Sequence, residues 1–425
     1  VNYIELSRQL RSPEGMARLS HIYGRQEGML VQQMGRFGAL IKLHEDLFHA
    51  DEEDLSIISS PGRSEIIGNH TDHNNGKVLA AAVNLDTLAV VTKRADMLVK
   101  VVSEGYAPFE VNLRTLQPQE NEQGTSSALI RGVAQRMQQL GFAIGGFSAA
   151  VTSDVLSGSG LSSSAAFEVM VCCVEDTLYN AGTMDQVLRA KISQYAENVH
   201  FGKPSGLMDQ ITSSVGGMIG IDFKEEEPLI DPLHFGFQQA GYALVVVGTG
   251  GSHDDLTAEY AAIRQEMHAV AGFFGESVLR KLRPEQLFAN LQPLRASVGD
   301  RPILRAIHYF NENARVSRAL AALKDNDVAR FLEQVKASGH SSWELLQNMY
   351  ASSRDQALAL ALALAQELLQ GEGACRVHGG GFAGTTLNFV PLAKVEHFVK
   401  GMNAVFGAKS CMVLDVRQEG ACKVF

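Results

Sequence analysis

The sequence predicts an α+β protein of two lobes with a cleft between them, and three observations carry that prediction. The first half, after a helical opening, runs in apolar segments of strand length and strand period. The second half carries long helical periodicities. And 425 residues are more than one hydrophobic core normally organises. With 45% hydrophobic and 20% charged residues, the chain is neither disordered nor fibrous.

The elements follow in order. Residues 1–50 are polar with helical periodicity around 30–48, which predicts a helical N-terminal segment packed on the first domain. Residues 56–60 read as a short strand ending at Pro61-Gly62, because that dipeptide normally breaks a strand. Residues 77–94 read as strands divided by Asn84 and Asp86, and 98–111 continue with strand period. Helices are expected at 126–140, 162–180 and 184–199. Buried strands are expected at 216–223 and 242–247, since both runs are short and apolar. A helix at 257–274 and mostly helical chain over 284–370 follow. The region 376–423 returns to glycine-rich turns, strands and one helix. The two expected domains are 1–200 and 201–425, with 1–50 as a helical extension of the first.

Composition narrows the function. Lys and Arg total 37 against 47 Asp and Glu, a formal net charge of −10. A general nucleic-acid binder needs a basic footprint, so that class is excluded. The five cysteines include no C-x-x-C pair, and adjacent Cys172 and Cys173 lie in an apolar run, which points to buried thiols in a reducing compartment. No stretch reaches the roughly 18 apolar residues of a membrane span. The opening Val-Asn-Tyr-Ile-Glu has no secretory pattern. A cytoplasmic protein, monomeric or weakly dimeric, with no nucleic-acid or membrane partner, is the expectation.

Four segments carry chemistry. The first, residues 61–76, crowds Arg63, Glu65, Asn69, His70, Asp72 and His73 among glycines next to a strand. His70, Asp72 and His73 have donor types that suit a transition metal, but no further ligand is signalled, and a solvated polar turn is the plain alternative. The second, residues 155–169, runs Gly158, Ser159, Gly160, Leu161, Ser162, Ser163 and Ser164 into an apolar helix. Free N–H groups at a helix start favour phosphate, and serine hydroxyls can ligate its magnesium. The segment is neither a Walker A loop nor a dinucleotide fingerprint, and a merely capped helix would look the same. The third, residues 376–384, contains three consecutive glycines before a strand, which permits close backbone approach to a ligand or to another loop. The fourth, residues 197–210, places Asp209 after Gly206-Leu207-Met208, where a carboxylate meets a substrate hydroxyl or simply caps a helix.

In this order the four segments resemble the GHMP kinase family, and within it the galactokinase branch. Residues 62–73 match Gly-Arg-x-Asn-x-Ile-Gly-Glu-His-x-Asp-Tyr. Residues 156–165 match Pro-x-Gly-x-Gly-Leu-Ser-Ser-Ser-Ala, with Leu156 in place of proline. Residues 206–210 match Gly-Ile-Met-Asp-Gln with Leu207 for isoleucine, and 374–384 resemble the family's third glycine-rich motif. The likeness runs from about residue 56 onward, and the first 50 residues exceed the family's usual start.

The resemblance implies the two-lobed GHMP kinase fold, with the active site in the cleft, and ATP-dependent phosphorylation of galactose at its anomeric hydroxyl. By position it implies Asp209 and Arg63 as catalytic residues and Gly158 to Ser164 around the ATP phosphates. It implies Ser164 and Glu197 at magnesium, and Glu65, Asn69, His70, Asp72, Gly206 and Tyr260 at the sugar. Two family positions are exchanged: Glu65 stands for asparagine and Asn69 for glutamate, while His73 replaces tyrosine. Either carboxylate and amide have swapped places around galactose, or the substrate is a galacturonate or another C6- or C2-modified hexose. A third alternative is a regulator that binds ATP and sugar without turnover.

Overall fold

The structure, a computed structural model, describes residues 1–24, 27–49, 54–155, 160–250 and 256–425. The chain opens with three helices, α1 (Tyr3–Arg11), α2 (Pro13–Tyr23) and α3 (Glu27–Phe48). Asn2 and Glu5 form a reciprocal cap on α1, and Ser12 with Pro13 starts α2. Strands β1 (Leu55–Ile67), β2 (Lys77–Lys93), β3 (Leu98–Ser103) and β4 (Phe109–Asn112) follow. Next come α4 (Ser126–Gln139), β5 (Phe147–Ser153), α5 (Ser163–Tyr179), α6 (Gln186–Tyr195) and α7 (Met208–Val215). Strands β6 (Met218–Asp222), β7 (Leu229–Leu233) and β8 (Tyr242–Gly248) lead to the helical half. That half holds α8 (Thr257–Phe273), α9 (Pro284–Ala289), α10 (Leu291–Val298), α11 (Asp300–Lys324), α12 (Val328–Ser341) and α13 (Ala357–Leu369). The chain closes with β9 (Ala374–His378), β10 (Thr385–Pro391), α14 (Val395–Phe406), β11 (Cys411–Leu414) and β12 (Cys422–Lys423).

One sheet runs β12-β1-β2-β5-β3-β4, with β6 and β7 branching from β2; the other runs β11-β8-β10-β9. Every pairing is antiparallel except β3 with β5. Both faces of the large sheet are covered, which explains its near-continuous apolar strands. On one face Ile57, Leu88, Val90 and Ala150 meet Phe37, Leu40 and Ile41 of α3. On the other, Ile58, Ala89, Val91 and Ala149 meet α4 and α5. A shared core of Ile66, Leu79 and Ala81 with Leu244, Val246, Phe389 and Phe331 joins the two sheets. Chain beyond residue 200 contributes to both sheets, through β6, β7 and β12 to the first.

Two expectations for the strands need correction. β1 does not end at Pro61-Gly62 but continues to Ile67, because a register shift between Pro61 and Arg63 accommodates the break. β2 is continuous across Asn84 and Asp86. Its first half pairs with β6 and its second with β5, and the two polar residues mark the change of partner. Residues 98–111 split into β3 and β4. Among the described residues no helix is long and apolar enough to cross a membrane.

Candidate active site

The bulge in β1 aims Arg63 at the start of α7. Its guanidinium grips Asp209 with both arms, Nε to Oδ1 at 2.7 Å and Nη2 to Oδ2 at 2.8 Å, and its Nη1 donates to the Gly160 carbonyl at 2.6 Å. Ser162 donates to Asp209 Oδ2 at 2.6 Å. Burial opposes the Asp209 charge, but Arg63 and the Ser162 hydroxyl outweigh it and hold the carboxyl below its ordinary range. Asp209 therefore neither caps α7 nor stays hidden: it is 19% exposed. Ser162 likewise does not cap α5, since it sits in the left-handed region at φ 60° and gives its hydroxyl to Asp209.

Two residues further on, Ser164 donates to Glu197 at 2.8 Å. Glu197 is almost fully buried and also accepts from Lys203 at 3.0 Å, Ser205 at 2.5 Å and Gln210 at 2.9 Å. The Gln210 amide bridges to Glu168, which burial and then the Glu197 charge push well above the carboxylate range. Glu168 Oε2 and Gln210 Oε1 have no hydrogen-bond partner among the described residues. An all-oxygen set of hydroxyl and carboxylate beside such groups fits a hard divalent cation. Of the expected phosphate loop, Gly158 and Ser159 lie outside the described residues, whereas Gly160 to Ser164 form its exit into α5.

A cleft of about 1430 Å³ opens beside Arg63 and is lined by Glu65, Asn69, His70, Asp72, Gly206 and Tyr260, among others. Its back wall is the glycine run. Gly379 accepts from Asn69 at 2.7 Å, Gly380 pairs with His70 at 2.9 Å, and Gly381 accepts from the Tyr260 hydroxyl at 2.9 Å. A Cβ on Gly380 would lie 2.6 Å from the Tyr260 ring, so only glycine allows this approach. Asp72 lies close to Gly206, where an added Cβ would come within 2.7 Å of its Oδ2. Burial raises the Asp72 pKa, against the pull of His70.

The exchanged pair forms one buried network. Asn69 donates to Glu65 at 3.0 Å and to Gly379, and its oxygen accepts from Ser342 at 3.2 Å and Asn348 at 2.9 Å. All four hydrogen-bonding positions of that carboxamide are thus taken by protein. Glu65 Oε1 also accepts from Arg376 at 3.1 Å. From α11, Glu312 accepts from the Gly68 N–H at 3.0 Å and from Ser338, while His308 meets the Asn69 carbonyl at 2.9 Å. Burial pushes Glu312 up, yet nearby His308, Arg376 and Arg315 bring it down to about 2.

The metal alternative for His70, Asp72 and His73 is overturned: no group of three such ligands converges among the described residues. His70 is turned to Gly380, and Asn74 donates to His73 Nδ1 at 2.8 Å. Sequence reasoning assigned no role to Arg376, Glu312, His308, Asn348 or Lys203. Arg376 and Lys203 stood inside quoted motifs, which was their only signal. The others, His308 and Glu312 on α11 and Asn348 in the loop beyond α12, sit more than 230 residues from the motif they support.

This fold is that of a GHMP kinase. Residues 128–217 match the GHMP kinases N terminal domain. A mevalonate kinase structure superposes with a TM-score of 0.61 at 14% identity, covering 86% of this chain and 99% of that one, which bears on the fold alone. Residues 42–93 match the galactokinase galactose-binding signature. A galactokinase of Actinobacillus pleuropneumoniae is 34% identical over 349 residues, 80% of this chain and 86% of that protein. One from Streptomyces coelicolor is 31% identical over 376 residues, 87% and 93% of the two chains. The Lactococcus lactis galactokinase solved with galactose superposes with a TM-score of 0.79 at 25% identity, covering 91% of this chain and 100% of that one. The chain belongs to the galactokinase family.

Proposed function

We propose that this protein is a galactose 1-kinase, transferring the γ-phosphoryl group of ATP to the anomeric hydroxyl of galactose to give galactose 1-phosphate and ADP. The observation that carries the reading is the Arg63–Asp209–Ser162 cluster, standing where the acceptor cleft meets the exit of the Ser/Gly-rich loop. Asp209, held ionised, accepts a hydrogen bond from the C1 hydroxyl and is the base within reach of its proton. As that oxygen bonds to the γ-phosphorus, the bond to the β-phosphate oxygen breaks and ADP leaves. Arg63 fixes the carboxylate and places positive charge beside the transferring group. The amides leading into α5 cradle the phosphates. Ser164 and Glu197 would hold magnesium, which when bound offsets phosphate charge.

His70, Asp72, Gly206 and Tyr260 form the sugar's wall together with Glu65, and Asn69 acts through Glu65 because its own carboxamide is saturated. The carboxylate has moved from position 69 to 65 without leaving the cleft wall, so it still opposes a C6 carboxylate. That favours galactose over galacturonate. We place the protein in the cytoplasm. Coupled ADP production with ATP, magnesium and galactose, galacturonate, glucose or N-acetylgalactosamine tests the reading. Turnover of galactose above the others is expected. Preference for another sugar overturns the substrate, and silence across the panel with intact ATP binding would make the protein a regulator.

A further inference from the structure

The N-terminal helices lie almost wholly before the matched signature, which begins at residue 42, yet they reach the interior of the kinase. Two residues of α3, one turn apart, make the contact. Arg36 Nη1 donates to Asp86 Oδ1 at 2.6 Å and lies 3.1 Å from Asp154 Oδ2. Its Nη2 donates to the carbonyls of Asp86 at 2.9 Å and Thr152 at 3.3 Å. Gln33 hydrogen-bonds Asp154 as well. Tyr23 of α2 donates to Asp86 at 2.6 Å, and Arg417, wholly buried, reaches the same oxygen at 3.1 Å. Two aspartates and two arginines balance, which is the condition for burying such a group at tolerable cost.

Docking the helices would need Asp86 alone. Asp154 is a different matter, because it follows β5 directly and leads into the Ser/Gly-rich loop. Its N–H donates to the Asp86 carbonyl at 3.0 Å, and the methyls of neighbouring Val155 press on Gly62, beside Arg63. Across the loop, the Leu161 carbonyl accepts from the Arg63 N–H at 2.9 Å. Both stems of the loop are therefore fixed next to the reacting carboxylate, one of them by α3.

We propose that the N-terminal helices support the nucleotide site: Arg36 and Gln33 are positioning residues that hold Asp154 and so fix where the phosphate-binding loop leaves β5. The proposal rests on the assignment of that loop to ATP. Arg36→Lys keeps the charge but loses the second arm, which holds the Asp86 and Thr152 carbonyls and so fixes the first arm between Asp86 and Asp154. Gln33→Met keeps the volume and removes one bond to Asp154, and it stands in should the lysine variant fail to fold.

ATP and galactose KM, kcat, and the Kd of a fluorescent ATP analogue are measured for both variants beside the unaltered protein. Arg36→Lys is expected to raise the ATP KM and the analogue Kd roughly fivefold, with the galactose KM within about twofold. Gln33→Met should move the same two constants in the same direction by less. Unchanged ATP constants, or both KM values rising together, would overturn the proposal and leave α3 a structural brace. If the unaltered protein releases no ADP with galactose, the kinase reading fails instead, while the analogue Kd still judges the role of Arg36.

Discussion

Burial works against the charge of Asp209, and a two-armed contact from Arg63 keeps it ionised. Because its folded pKa lies below the ordinary range, it stays charged through neutral and mildly acidic pH, and an acid loss of activity there would have to come from other groups. Asp209→Asn keeps the shape and removes the base. Turnover is expected to fall by roughly 10²–10⁴-fold with galactose affinity changed little, as read by steady-state kinetics and equilibrium sugar binding. A variant that retains most of its kcat would take Asp209 out of the reaction. Asn69 and Glu65 make a paired case. Asn69→Glu sets a second carboxylate against Glu65 in a buried network and should cost about 3 kcal/mol. Adding Glu65→Asn should restore most of it, and thermal melts of the single and double variants decide the matter; equal melting would mean the two positions are not coupled.

At the scale of elements, the loop entering α7 and the 72–76 turn meet with no space to spare, since a Cβ on Gly206 would stand 2.7 Å from Asp72. Gly206→Ala should displace Asp72 and raise the galactose KM roughly tenfold while the ATP KM holds. An unchanged galactose KM would place the sugar elsewhere in the cleft. The same elements show what the sequence could and could not tell. Helices over 126–140 and 257–274 were legible because their apolar periodicity decides them locally. Arg63, Asp209, Ser164 and Glu197 were legible as motif members, but their mutual distances were not. Pro61-Gly62 misled because a bulge lets a strand pass a breaker, and Asp86 misled because its arginines come from residues 36 and 417. The Glu312 clamp on Gly68 was invisible for the same reason: nothing local to either residue records the other.

Across the whole molecule, acid sensitivity is written into buried histidines. Burial lowers His44 to about 4, and burial with Arg63 and Arg376 lowers His378 to about 3. Both stay neutral in the folded protein, whereas in the unfolded chain they take up protons below about pH 6.5. Their contribution to stability is therefore full above that pH and falls as the pH drops toward the folded values, by up to roughly 3 and 5 kcal/mol respectively. Glu312 adds a further loss below its unfolded pKa of 4.5, down to about 2. Glu175, which burial raises to about 8, acts in the opposite sense over the same range, so the histidine loss is read in a Glu175→Gln background: melting temperatures there should decline from pH 6.5 to 5, and their failure to decline would show that these imidazoles are already charged in the fold. The short strand β12 has a different consequence. Ile58 pairs with Lys423, and the Ile57 N–H donates to the Phe425 carbonyl at 3.0 Å. Arg417 meanwhile completes the charge around Asp86. On the ribosome, β1 emerges hundreds of residues before the strand that covers its edge. Until then the nascent sheet carries an open edge and Asp86 lacks one of its two arginines. Synthesis from one end to the other thus leaves the large sheet unfinished until residues 417–425 have emerged.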